Sequence, residues 1–170
     1  MKSSVVAIVF KENERKVLAI QRRDCPVWVL PGGKIEESET PEKAVIRETF
    51  EETGCRVSIK RKIGQYTPVI RLLPLTHVFE CRIENGKLRT GQETRDIDFF
   101  PFEHLPKRFF SIHEDMLNDA LKNSPEVIDK QLTQVTYSSI IKYLIRHPIL
   151  FARFALSQIG FPINSRDTHE

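Results

Sequence analysis

Three carboxylates, Glu48, Glu51 and Glu52, stand at positions i, i+3 and i+4 of the segment AVIRETFEETG. On a helix, at roughly 100° per residue, they share one side with Ala44 and Arg47. Like charges at that spacing repel each other and weaken an isolated helix. A hard divalent cation relieves the repulsion, since Mg2+ takes oxygen ligands and is commonly held by one or two carboxylates plus substrate phosphates. The alternative is a solvated acidic face, which a lone run of this kind would favour.

The elements around the cluster have a definite order. Val27–Leu30 is a short apolar run expected to form a buried strand, and Pro31-Gly32-Gly33 stops it. After a polar loop, Thr40 is placed to cap a helix, Pro41 sits at its first position and Glu42 suits its positive start. The helix is expected to run to about Thr53, with Gly54 as a left-handed stop. Ile46, Thr49, Phe50 and Thr53 fall opposite the carboxylates and are expected to face a core.

The spacing is Gly33, five residues, Glu39, seven residues, Arg47-Glu48, two residues, Glu51-Glu52, one residue, Gly54. This resembles the Nudix box, G-x5-E-x7-R-E-U-x-E-E-x-G-U, where U is a bulky apolar residue. Every glycine, glutamate and arginine position matches. Thr49 and Cys55 depart from U, a mild change in local packing. The resemblance implies an α/β fold, the Nudix α/β/α sandwich, with a mixed curved sheet between helices and the box as loop-helix-loop. It implies cleavage of a diphosphate linkage in a nucleoside diphosphate derivative, by attack of water at phosphorus. It further implies Mg2+ or Mn2+ held by Glu48, Glu51, Glu52 and the Gly32 carbonyl. Arg47 would orient the glutamates, and Glu39 would support the loop or assist through water. Gly32 and Gly33 would face substrate. The general base would be Glu51 or Glu48, or Glu93 from the segment 91–106, where Asp96 is the second matching position. Surface carboxylates on a loop are the alternative for both.

Substrate signatures outside the box give a direction. Hydrolases of ADP-ribose in this family tend to carry a proline some fifteen or sixteen residues past the box, where this chain has Ile70 and Arg71. Dinucleoside-polyphosphate hydrolases tend to carry a tyrosine slightly further on, where Leu72, Leu73 and Pro74 stand. The upstream motif of coenzyme A hydrolases is absent. The LPGG lead-in is closer to the nucleoside triphosphatases than to the RNA 5′-end processing members. The resemblance therefore leans towards a (deoxy)nucleoside triphosphate or related small nucleotide. Two alternatives stay open: another diphosphate (a dinucleoside polyphosphate, a nucleotide sugar, or an isoprenoid or lipid diphosphate at a membrane), and a non-catalytic nucleotide-binding domain. The second usually loses box glutamates, and this chain keeps them.

Composition sets outer bounds. The 170 residues suffice for one domain with a real core, and 40% apolar with 29% charged residues is ordinary for a soluble protein. A net charge of +3 does not by itself argue for a nucleic-acid partner. Cys25, Cys55 and Cys81 are scattered with no CxxC pair, which fits free thiols in a reducing cytoplasm. The apolar run at the N-terminus is expected to be a strand, not a secretory signal. No run reaches the roughly 18 apolar residues of a membrane span.

Along the chain, residues 3–10 and 16–22 are expected to pair as strands. Arg22, at the end of the second, is a candidate contact to substrate phosphate, with a solvated strand end as the alternative. Trp28 is expected in the core, with stacking on a nucleobase as the alternative. Residues 55–65 are expected to form a strand turning at Gly64, and 75–84 another, with Asn85-Gly86 as a turn signal. Residues 111–122 are expected to form a helix capped by Ser111 and Glu114. The division expected is a Nudix domain over 1–123 and a C-terminal helical extension over 124–170, two helices broken at Pro148. Packing on the domain or on a second subunit, as a homodimer, is favoured for them; a basic contact with an anionic membrane surface and a cap over the substrate pocket compete.

Overall fold

The computed structural model describes residues 2–11, 14–70 and 73–133. Eight strands and two helices follow one another as β1 (Ser3–Lys11), β2 (Lys16–Arg22), β3 (Trp28–Val29), β4 (Gly32–Lys34), α1 (Pro41–Thr53), β5 (Cys55–Pro68), β6 (Leu75–Gly86), β7 (Thr94–Pro101), α2 (Ser111–Leu121) and β8 (Ile128–Leu132). The sheet runs β3-β2-β1-β6-β5-β8, with β4 added to β1 and β7 to β2. It is mixed: β1 pairs β6 and β5 pairs β8 in parallel, and the remaining pairs are antiparallel.

Strand β1 is apolar on both faces because both are covered. Its even positions Val6 and Ile8 pack with Ile112, Met116, Leu117 and Ala120 of α2. Its odd positions Val5, Ala7 and Val9 pack with Ala44 and Val45 of α1. The period of two along the strand thus assigns one helix to each side, the α/β/α sandwich expected from the box. Among the described residues no helix is long and apolar enough to cross a membrane.

Several local expectations hold in detail. Thr40 caps α1, its hydroxyl accepting from Lys43 N at 3.3 Å, and Gly54 closes the helix at φ 73°. Trp28, expected in the core, is only partly buried and packs edge-on against Phe100 with ring centroids 4.7 Å apart. Others are corrected. Gly64 does not turn the chain: β5 continues to Pro68. Gly64 instead lets β8 approach, since a Cβ there would lie 2.7 Å from the Ile128 carbonyl oxygen. Asn85-Gly86 does not join a hairpin but ends β6 beside Cys55. Ser111 is not the cap of α2; Phe110 holds that position without a side-chain bond. The start is set from outside the helix, because Phe110 N donates to Trp28 O at 2.9 Å and fixes the residue as extended chain. Residues 128–132, expected within or beside a helix, form β8 and complete the sheet edge. The helices expected further on, with the break at Pro148, fall on residues 134–170, outside the described residues.

Candidate active site

Glycine geometry brings the loop onto the sheet. Gly32 adopts φ 154°, and a Cβ there would lie 2.9 Å from Val6 Cα and still closer to the Val5 carbonyl. The absent side chain lets β4 lie against β1. Gly33 faces Glu48 so closely that a Cβ would overlap its carboxylate. The backbone of the loop and the carboxylates of α1 therefore occupy one small volume.

The carboxylate face of α1 is only partly open to solvent: the Glu51 side chain is 56% exposed, Glu48 is half-buried and Glu52 is buried. Glu52 is only 7% exposed, while Ile46, expected to face the core, is 39% exposed. Ala44, Val45, Thr49 and Thr53 are the other buried positions of the helix. Thr49 and Thr53 remain compatible with that core because their hydroxyls donate back to Val45 O and Thr49 O, each at 2.6 Å.

Glu52 Oε2 accepts from Gly32 N at 2.8 Å. Burial nonetheless pushes its carboxyl up to about 8; the Gly32 hydrogen bond and Arg22 oppose the rise, and Glu48 and Glu93 add to it. Glu48 is also raised, first by burial, although Arg47 pulls the other way. Arg47 collects the rest of the box. It donates to Glu39 through Nε at 2.9 Å and Nη2 at 2.8 Å, to Glu48 at 3.0 Å, to Glu51 at 3.3 Å and to the Lys34 carbonyl at 3.1 Å. Glu39 in turn accepts from Glu36 N, which ties the loop to the same guanidinium. The Glu39 hydrogen bonds, the largest influence, raise the Arg47 pKa further, and Glu39 itself is lowered.

Glu93 lies on the approach to β7 and is exposed. Its charge adds to the rise at both Glu48 and Glu52. The backbone holds it there: Arg23 N donates to Glu93 O at 2.8 Å and Arg23 Nη2 to Thr94 O at 3.0 Å. On the other side Arg89 N donates to Thr53 O at 2.9 Å, and Gly91 comes so close to the last turn of α1 that a Cβ would meet the Glu51 carbonyl. Asp96 is not part of this group; it is exposed, pairs with Gln21 across β2 and β7, and accepts from the backbone of Ile97.

Arg22 is partly buried, and Asp24 engages it in a two-point pair, Nε to Oδ1 at 2.9 Å and Nη2 to Oδ2 at 2.7 Å. Nη1 has no hydrogen bond among the described residues. Asp24, an orienting partner for Arg22, was not anticipated; the R-x-D spacing in Arg22-Arg23-Asp24 is its only local signal. His113, whose Nδ1 accepts from Leu30 N at 3.0 Å, has no signal in the chain around it.

A cation would be held here by oxygen donors, chiefly Glu48, Glu51 and Glu52. Among the described residues no three His, Cys, Asp or Glu side chains converge on one point as they stand. The hydrogen bonds explain why: Arg47 draws Glu48 and Glu51 aside, and Gly32 N holds Glu52. The donor set fits a hard divalent ion all the same. The hard carboxylate oxygens of Glu48 and Glu52 stand in mutual repulsion, which an added positive charge would relieve.

Comparison with known proteins gives a consistent result. The family model described as NUDIX domain matches residues 1–120. The chain is 36% identical over 118 residues to an ADP-ribose pyrophosphatase of Methanocaldococcus jannaschii, covering 65% of this chain and 69% of that protein. It is 39% identical over 149 residues to a dihydroneopterin triphosphate diphosphatase of Haemophilus influenzae, covering 76% and 86%. Its fold is similar to the crystal structure of a NUDIX hydrolase from Nitrosomonas europaea, with TM-score 0.67 and 24% identity over 77% of this chain and 78% of that one. The chain belongs to the NUDIX domain family, as a pyrophosphohydrolase acting on phosphoanhydrides.

Proposed function

We propose that the chain is a metal-dependent hydrolase of a (deoxy)nucleoside triphosphate or a related small nucleotide. The observation that carries this reading is the buried Glu52, under the charges of Glu48 and Glu93 and bonded, among the described residues, to the Gly32 N–H alone. A fold selected for stability alone would not keep such a carboxylate; a site that receives a cation and a polyphosphate would. The triphosphate substrate is supported by the LPGG lead-in and by the likeness to a dihydroneopterin triphosphate diphosphatase.

In this reading Glu48, Glu51 and Glu52, with the Gly32 carbonyl, hold Mg2+ or Mn2+. Once bound, such an ion offsets charge on the phosphate oxygens and lowers the pKa of a coordinated water. Arg47 keeps Glu48 and Glu51 in reach of the site and braces them through Glu39. Arg22, oriented by Asp24, offers Nη1 to a phosphate oxygen. A box glutamate, Glu48 or Glu51, or Glu93 from the facing loop takes the proton of the attacking water. Glu93→Gln and Glu51→Gln separate these assignments, since removal of the base lowers turnover far more than KM.

The test is a panel of nucleoside triphosphates including oxidised ones, dinucleoside polyphosphates, nucleotide sugars, ADP-ribose and isoprenoid diphosphates. Phosphate and diphosphate release is measured with Mg2+, with Mn2+ and with EDTA. Fast cleavage of one nucleoside triphosphate, abolished by EDTA, is the expected result. Preferred cleavage of ADP-ribose, the substrate in the name of the archaeal relative, would replace the substrate assignment and leave the chemistry standing. Full activity in EDTA would remove the metal.

A further inference from the structure

His113 takes no part in the chemistry above, yet it has the surroundings of a group that meets a ligand. It lies in the first turns of α2, and its Nδ1 accepts a hydrogen bond from Leu30 N at 3.0 Å. That bond fixes the tautomer: with Nδ1 accepting, the proton of the neutral ring is on Nε2. Nε2 has no hydrogen bond among the described residues. Nor is it among the buried side-chain polar atoms left without a partner, which are His77 Nδ1 and Thr94 Oγ1. The Nε2–H donor therefore reaches solvent.

The ring is at the same time densely surrounded by protein. Burial, and then repulsion from Arg22, hold its pKa down to about 4. Partial exposure of a group so surrounded marks the floor of a concavity rather than a convex surface. Arg22 shows the same combination, a side chain 33% exposed on which burial is the largest influence. The charge of Arg22 acts on both His113 and Glu52, and the Leu30 N–H that His113 accepts lies two residues before the glycine loop that bonds Glu52. The rim of the concavity is aromatic. Phe110 is 41% exposed and meets the His113 ring edge to face at 5.2 Å, and its backbone is bonded to Trp28.

We propose that His113 is a specificity-determining residue that donates Nε2–H to an acceptor on the nucleobase of the substrate, with Phe110 as the adjoining stacking surface. The inference rests on the nucleotide reading given above. A phosphate is best met by a charged donor such as Arg22. An uncharged donor held beside an exposed ring suits the edge of a base, and such a donor discriminates because a base without the acceptor leaves it unpaired.

Two substitutions divide the two ends of the ring. His113→Asn keeps an amide oxygen near Nδ1 for Leu30 N and removes the outer donor. His113→Gln keeps a donor near Nε2 and gives up the bond to Leu30. For each, KM and kcat are measured with the best-cleaved nucleoside triphosphate, together with Tm and the inhibition constant of inorganic triphosphate, which has no base. The expected result for His113→Asn is a KM raised about tenfold with kcat, Tm and triphosphate inhibition unmoved. His113→Gln should lose Tm while its KM stays nearer the parent value. An unmoved KM in His113→Asn overturns the inference. An equal rise in KM and in the triphosphate inhibition constant assigns the donor to phosphate and overturns the base contact. A parent protein that cleaves no nucleotide overturns the nucleotide reading and this inference with it.

Discussion

Two buried carboxylates sit on helices that cover opposite faces of one sheet, and they are treated in opposite ways. Asp119 on α2 is 5% exposed and fully partnered: Lys122 at 2.6 Å, Lys130 at 2.8 Å and the Tyr66 hydroxyl at 3.1 Å. Burial pushes its carboxyl up, but those hydrogen bonds outweigh burial and hold it below the usual range. Glu52 on α1 is 7% exposed and has, among the described residues, one backbone N–H for a partner, with two further carboxylates acting against it. The sheet and the packing are shared, so the difference lies in the partners alone. Asp119 contributes to stability. Glu52 costs stability, which is the mark of a group kept for what it binds.

The largest effect expected from this contrast is on turnover. Glu52→Gln should lower kcat by about 10² to 10³-fold while the protein stays folded. It should also raise Tm in EDTA. A carboxyl raised from its ordinary 4.5 to about 8 lets the folded state bind the extra proton between those values, so stability falls as pH rises through that window. The Tm advantage of Glu52→Gln should therefore widen from pH 5 to pH 8. Near-wild-type turnover, or a Tm below that of the parent at pH 8, would break the contrast at its functional end.

Next is Arg47→Lys, which cannot reproduce the forked contact with Glu39 while also reaching Glu48 and Glu51. About a 10 to 100-fold loss of kcat/KM is expected, with higher Mg2+ needed for half-maximal rate. A loss that does not depend on Mg2+ would separate Arg47 from the carboxylates.

Asp119→Asn should act on the other side of the comparison. A loss of about 2 kcal/mol in urea unfolding is expected at pH 7, with kcat unchanged in the folded protein. The folded pKa is lowered, so the contribution is present above the unfolded value and disappears as pH falls through the folded one. Parent and variant should converge in stability as pH falls below the ordinary carboxylate range and through the lowered folded value. A gap that persists there would assign the effect to packing instead of charge.

The smallest effect expected is that of Gly91→Ala. The added Cβ meets the Glu51 carbonyl and pushes the loop, and Glu93 with it, off the box. About a 5 to 10-fold fall in kcat should result. In a Glu93→Gln background the same substitution should cost nothing more, and a full additive loss would show that Gly91 does not act through Glu93.

What could be read from the chain was local. The box spacing, the Thr40 cap, the Pro41 start and the Gly54 stop all lie within about one helix, and all stand as expected. The failures share a different cause: each depended on a distant partner. Of the positions placed opposite the carboxylates, Thr49 and Thr53 are buried as expected, but Ile46 is exposed, because the helix is rotated so that Glu52 lies under the glycine loop, its carboxylate bonded to Gly32 N. Ser111 and Glu114 have the spacing of a capping box, but Trp28 claims Phe110 first. The strand Ile128–Leu132 is five residues long with a weak pattern, and its partner begins at Gly64. The pairing of His113 with Leu30 spans 83 positions, and nothing in either neighbourhood announces it.

The lateness of β8 has a consequence for synthesis. Until residues 128–132 emerge, β5 presents unpaired backbone groups along Gly64–Pro68, and Asp119 lacks Lys130. A nascent chain paused before that point, or one cut after Asn123, carries an open strand edge able to pair with its neighbours. The arrival of β8 pairs that stretch of β5 and at the same time completes the partners of Asp119, so the last strand described joins sheet and helix in one step.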